Sequence, residues 1–193
     1  MPTNEQTQNN FPKTFYPRLD ATGIYNSKYY YSDNPFYQSG YGLPNCTCYA
    51  WGRFYEISDV RPSLPTGDAG TWLDDVLAVG SYQTGDTPAL GAVAVWGSST
   101  GGAGHVAIVE QINDDGSYVI SQSGYYRPIA TYPPDTHNYF WLDTCSGETN
   151  KASWMTNYYF QGFIYNDNQP VPIPGGGQRK RRLPIWMMCK RKR

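Results

Sequence analysis

Three apolar, β-rich segments follow one another with only short connections: Gly91-Ala92-Val93-Ala94-Val95-Trp96, then His105-Val106-Ala107-Ile108-Val109-Glu110-Gln111-Ile112, then Ser117-Tyr118-Val119-Ile120-Ser121-Gln122. The second connection, Asn113-Asp114-Asp115-Gly116, is a hairpin turn signature. The third segment therefore returns as the hairpin partner of the second. Tyr158 to Tyr165 reads as a last strand, whereas 125–156 shows no clear pattern beyond the loop markers Pro133-Pro134 and Gly147.

The chain before residue 90 has a different period. Ala50, Phe54 and Ile57, with Tyr49, follow the spacing of a buried helical stripe, which predicts a helix from Thr47 to Ile57. Asn45 is its N-cap, a side-chain oxygen that accepts free backbone N–H groups. Cys46 then sits at the positive end of the helix dipole, a field that favours thiolate over thiol. A second helix is expected from Thr71 to Ala78, with Trp72, Leu73, Val76 and Leu77 inward and Gly80 closing it.

A cysteine nucleophile needs a base, and His105 and His137 are the two histidines. His105 opens a strand directly after a glycine-rich loop, where its side chain can reach a cleft. A four-residue turn at 113–116 sets Ile112 opposite Ser117 and so Ala107 opposite Gln122. Gln122 then shares a face with His105, one diagonal step away. Its amide can orient the imidazole and leave the other ring nitrogen for Cys46, the logic of a thiol, base and orienter. A slip of one residue in the turn moves Gln122 to the far face. Simpler roles exist for each residue: a buried structural cysteine, a core histidine, a polar strand end. Cys48 points to another side of the helix and is read as packing. Glu110 lies opposite His105 and is read as exposed, and His137 as a solvated loop residue. Trp51, Trp72 and Trp96 are read as core. Tyr125 and Tyr126, just past Gln122, are candidates for substrate binding.

Charge narrows the function. Eight of the 15 Lys and Arg lie in the last 15 residues, so residues 1–177 carry 7 basic against 16 acidic side chains, a net of −9. An acidic body does not suit nucleic acid. A basic tail at 179–193, joined through a Pro/Gly linker at 169–178, is a tethering pattern. It brackets Leu183-Pro184-Ile185-Trp186-Met187-Met188, a segment suited to an anionic membrane or a larger assembly. Cys46, Cys48, Cys145 and Cys189 form no C-x-x-C pair or disulfide framework and read as free thiols, and no zinc site is expected. The polar segment from Met1 to Thr7 does not read as a signal peptide, and no run reaches the length of a membrane span.

These residues resemble a known family. Asn45-Cys46-Thr47 with Tyr49-Ala50-Trp51-Gly52-Arg53 is similar to the nucleophile helix of CHAP domains, the cysteine/histidine-dependent amidohydrolases and peptidases. Gly91 to Trp96 and Gly104 to Glu110 resemble that family's histidine strand and the strand before it. Asn113 to Ser117 with Ser121-Gln122 resembles the following hairpin, and Phe160-Gln161-Gly162-Phe163-Ile164 the closing strand. The resemblance covers about 25–166, after an N-terminal arm at 1–24. It implies an α+β, papain-like fold with N-terminal helices on a small antiparallel sheet. It also implies a Cys-His enzyme, of the kind found in phage endolysins, tail-associated lysins and bacterial wall hydrolases, that cuts amide bonds of peptidoglycan as an amidase or endopeptidase. The expected catalytic residues are Cys46, His105 and Gln122, with no cofactor or metal. Expected partners are peptidoglycan and other virion tail proteins held by the arm or tail, and the expected site of action is the cell wall outside the cytoplasm. The chain departs from the family at Gln122 and Gly124, where Glu and then Asn or Asp are common, and at Cys48, often aromatic. No carboxylate lies between Asn34 and Cys46, so the calcium site of some members is not expected. The departures also motivate a second expectation, an inactive virion or wall-binding module. A third is a cysteine peptidase or transglutaminase-like enzyme acting on protein.

Overall fold

The computed structural model describes residues 28–124 and 140–167. The N-terminal arm, the linker, the basic tail, Tyr125, Tyr126 and His137 lie outside the described residues. Among the described residues three helices come first: α1 (Pro35–Gln38), α2 (Cys46–Ser58) and α3 (Trp72–Val79), the last entered through a 3-10 turn at Ala69–Thr71. Six strands follow: β1 (Thr84–Gly85), β2 (Val93–Ser98), β3 (His105–Ile112), β4 (Tyr118–Gln122), β5 (Trp141–Cys145) and β6 (Tyr158–Ile164). They form one sheet in the order β1-β6-β2-β3-β4-β5, with every pairing antiparallel. The fold is α+β, with its helices before its sheet. Strand β5 falls in the stretch where the sequence shows no pattern.

Helix α2 begins where its cap dictates. Asn45 Oδ1 accepts from the backbone N–H of Thr47 at 2.9 Å and of Cys48 at 3.2 Å. The helix is buried well beyond one stripe, from Thr47 through Tyr55 and again at Ile57. Gly52 is the point of closest approach: a Cβ there would stand 2.4 Å from the Tyr30 ring and 2.9 Å from the Tyr29 carbonyl oxygen. Helix α3 ends on Gly80 in the left-handed region (φ 70°). Trp72 and Val76 of α3 are buried, but Leu77, expected inward, is 58% exposed, because the short helix covers the sheet with one narrow edge.

Both faces of β3 are covered. Val106 and Ile108 pack with Ala50, Phe54 and Ile57 of α2. Ala107 and Val109 pack with Trp96, Tyr118 and Ile120 on the other face. Glu110, expected to be exposed, is therefore fully buried on the helix side. It meets Arg53 in a two-pronged ion pair, Nε to Oε1 at 2.9 Å and Nη2 to Oε2 at 3.2 Å. Ser121 donates to Glu110 Oε1 at 2.6 Å, and Arg53 Nη1 reaches Glu56 Oε2 at 2.9 Å. Burial works against the Arg53 charge, yet Glu110 and Glu56 hold the guanidinium above its ordinary value. The network ties α2 to β3 and β4.

The β3–β4 register decides where Gln122 lands. Ile112 faces Tyr118 rather than Ser117, so the turn is one residue longer than the sequence suggests. A bulge between Val109 and Gln111 then absorbs one residue of β3, and beyond it Val109 faces Ile120 and Ile108 faces Ser121. The two shifts cancel, and Gln122 returns to the face that carries His105.

Removing one member of a buried ion pair strands the other's charge, so Glu110→Ala should lower stability by about 3–5 kcal/mol. Urea unfolding measures it, and an unchanged midpoint would contradict this account of how α2 is held.

Candidate active site

Cys46 occupies the first position of α2 and is half-buried at the wall of a cleft of about 250 Å³. Phe36, Tyr41, Thr47, Asp68, Ala69 and Ala103 also line this cleft. Two glycines bring the segments that carry Ala69 and Ala103 together. Gly70 N–H donates to the Ala103 carbonyl at 2.8 Å. Gly104 lies so close to Gly70 that a Cβ on it would stand 2.6 Å from the Gly70 backbone. Gly104 also has φ +80°, a conformation that suits glycine and turns the chain into β3 at His105.

His105 is 6% exposed and walled by aromatic rings. Trp154 lies edge-on at 5.7 Å between centroids, Tyr158 at 6.0 Å and Trp96 at 6.0 Å. His105 Nε2 and Gln122 Oε1 are 2.7 Å apart. On its other side Gln122 Nε2 donates to Asp143 Oδ2 at 2.6 Å. The same carboxylate oxygen accepts from the indole N–H groups of Trp141 at 2.8 Å and Trp154 at 2.9 Å.

This chain of bonds determines the imidazole tautomer. A carboxylate only accepts, so Asp143 must face the NH2 end of Gln122. The carbonyl end then faces His105. A carbonyl oxygen also only accepts, so the proton of that bond belongs to Nε2. In the neutral ring Nδ1 is left with the lone pair.

The electrostatics of the two reactive groups point to a neutral pair at rest. Burial pushes the Cys46 thiol up to about 11, against the pull of the backbone N–H groups of Val106, Thr47 and Cys46 itself. The Val106 N–H places the sulfur beside the residue that follows His105. Burial also pushes His105 down to about 4, against the Gln122 hydrogen bond and the Asp143 charge. Burial thus works against the thiolate that the helix position favours.

Residues 36–124 match the family described as CHAP domain. The chain carries a CHAP domain. It is 33% identical over 124 residues to the probable autolysin SsaALP of Staphylococcus aureus, covering 64% of this chain and 40% of that protein. It is 28% identical over 118 residues to N-acetylmuramoyl-L-alanine amidase sle1 of Staphylococcus aureus, covering 52% of this chain and 34% of that protein. A crystal structure of N-acetylmuramoyl-L-alanine amidase from Staphylococcus aureus overlaps with a TM-score of 0.42 at 26% identity, over 62% of this chain and 30% of that one. The chain thus spans less than half the length of the relatives it matches.

Within this CHAP domain, His105 and Gln122 are joined directly, and Cys46 stands at the cleft beside the start of β3. Cys48 is fully buried, with its sulfur 3.9 Å from the Tyr30 carbonyl oxygen, as a packing residue should be. Trp51, Trp72 and Trp96 are core, and Trp96 also flanks the imidazole. Sequence reasoning missed Asp143, Trp141 and Trp154. The available signal was faint: Trp141 and Asp143 are two apart on a five-residue strand, and Trp141 pairs with Gln122.

The His105 shift has a consequence for stability. Its folded value lies below the ordinary 6.5, so the unfolded chain takes up the proton first as pH falls. Stability should therefore drop by about 3 kcal/mol between pH 6.5 and 4 on this group's account. Unfolding free energies across that window should show this slope in the parent and lack it in His105→Gln. Equal slopes would place the buried imidazole elsewhere in pH.

Proposed function

We propose that this chain is a peptidoglycan hydrolase that cleaves an amide bond of the bacterial cell wall, with Cys46 as nucleophile, His105 as base and Gln122 as orienter. The observation that supports the reading is the chain of hydrogen bonds from His105 Nε2 through Gln122 to Asp143, which assigns the ring proton to Nε2 and leaves Nδ1 as an acceptor. Cys46 stands beside β3 on the wall of an open cleft. The relatives support the substrate class, since those named above are a probable autolysin and an N-acetylmuramoyl-L-alanine amidase.

The neutral resting pair sets the order of events. As a carbonyl carbon reaches Cys46, the thiol proton moves to Nδ1 and sulfur attacks, so thiolate forms only during reaction. The backbone N–H of Cys46 receives charge that develops on the carbonyl oxygen, since those of Thr47 and Cys48 already donate to Asn45. The imidazolium returns its proton to the departing amine, and water then releases the acyl group from sulfur. The aromatic wall around His105 excludes water and strengthens each of these interactions. The partner this needs is the wall polymer; carriage by a phage tail or release at lysis is not required by the chemistry. Among the described residues no helix is long and apolar enough to cross a membrane.

Cys46→Ala should abolish clearing of Gram-positive wall suspensions while keeping the circular dichroism spectrum. Gln122→Ala should lower the rate on the order of 100-fold, as expected when a base loses its alignment. Muropeptide mass spectrometry names the bond cut. Undiminished clearing by a folded Cys46→Ala protein would remove the proposal.

A further inference from the structure

Resting on the reading above, we propose that Asp143 is a positioning residue of the site, the carboxylate that orients Gln122 and stabilises the protonated form of His105 through it. The family's usual carboxylate position holds Gln122, an uncharged amide. The negative charge has moved one strand outward, to β5, and reaches the imidazole through the amide between them.

The geometry distinguishes this from a carboxylate that merely satisfies two indoles. Oδ2 accepts three donors, from Gln122, Trp141 and Trp154. The Gln122 bond is the shortest of the three. Gln122 is fully buried, so its amide has no solvent to hold it in the productive orientation. Without an acceptor on its NH2 side, the amide is free to turn and offer a donor to Nε2. The ring would then keep its proton on Nδ1, where it blocks transfer from Cys46. The register makes the placement possible: Gln122 pairs with Trp141, and Asp143 lies two residues further along the same face.

Asp143 also acts by charge. The titratable groups around His105 are Cys46 at the start of α2, Tyr158 on β6 and Asp143 on β5. Asp68, across the cleft, acts on Cys46. Of these, Asp143 is the anion that favours the imidazolium. That cation forms only once Cys46 has given up its proton, so its stabilisation belongs to the transition state and to kcat rather than KM.

The test separates charge from shape. Asp143→Asn keeps a carbonyl oxygen to accept from Gln122 and removes the charge. Gln122→Glu with Asp143→Asn moves the carboxylate into direct contact with His105. The readouts are the His105 titration by NMR, which needs no substrate, and kcat and KM on wall fragments. Asp143→Asn should lower the His105 titration by about one pH unit. It should also lower kcat about tenfold with KM unchanged. The double variant should bring the titration back to the parent value or above. A folded Asp143→Asn protein with the parent's titration would overturn the proposal. So would a double variant that titrates below the parent, and this arm holds even if Asp143→Asn alone does not fold. Failure of Cys46→Ala to stop lysis would instead remove the hydrolase reading, with the titration still deciding the role of Asp143.

Discussion

One residue of β3, Glu110, sets the arrangement of the whole site. It is the extra residue that the β3–β4 ladder skips, between Val109 facing Ile120 and Gln111 facing Val119. The skip compensates a turn that is one residue too long and returns Gln122 to the side of His105. The same residue points to α2 and closes on Arg53. Register and helix docking are thus coupled through one side chain. Helix α2 carries Cys46 at its start and β3 carries His105 at its start, so the bond between Arg53 and Glu110 fixes thiol and imidazole relative to each other.

Burial then determines the chemistry. Cys46 and His105 are each pushed toward the uncharged form, the thiol upward and the imidazole downward. A helix N-terminus offers a few tenths to about 1 kcal/mol of favourable field at exposed sites. At Cys46 burial acts against that field. In the proposed mechanism the site is consequently a base that takes its proton during the reaction. Its reactivity depends on how well the imidazolium is stabilised at the moment it forms. That places weight on the chain running from His105 through Gln122 to Asp143, and on Trp141 and Trp154, which hold the carboxylate from behind.

Much of this was legible in the amino-acid sequence, for identifiable reasons. The cap at Asn45, the helical stripe of α2 and the start of β3 after a glycine loop all depend on local chemistry, and all appear as expected. Gln122 reached the expected face by a route that counting did not foresee, since the turn and the bulge err in opposite directions. Glu110 and Leu77 were misread because alternation and helical spacing say which face a residue is on, but not whether another layer covers that face. The opposing effect of burial on Cys46 was not legible, because a dipole can be inferred from position in a helix whereas burial depends on tertiary packing. Asp143 was missed because β5 is short and preceded by a stretch without period. Its role appears only when β4 and β5 are paired.

The central claim is that Asp143 holds Gln122 so that His105 keeps its proton on Nε2 and leaves Nδ1 as the base. Nitrogen-15 NMR of the imidazole at pH 7 measures this directly. The account predicts a neutral ring protonated at Nε2, with Nδ1 unprotonated. A proton on Nδ1, or an imidazolium at that pH, would contradict it.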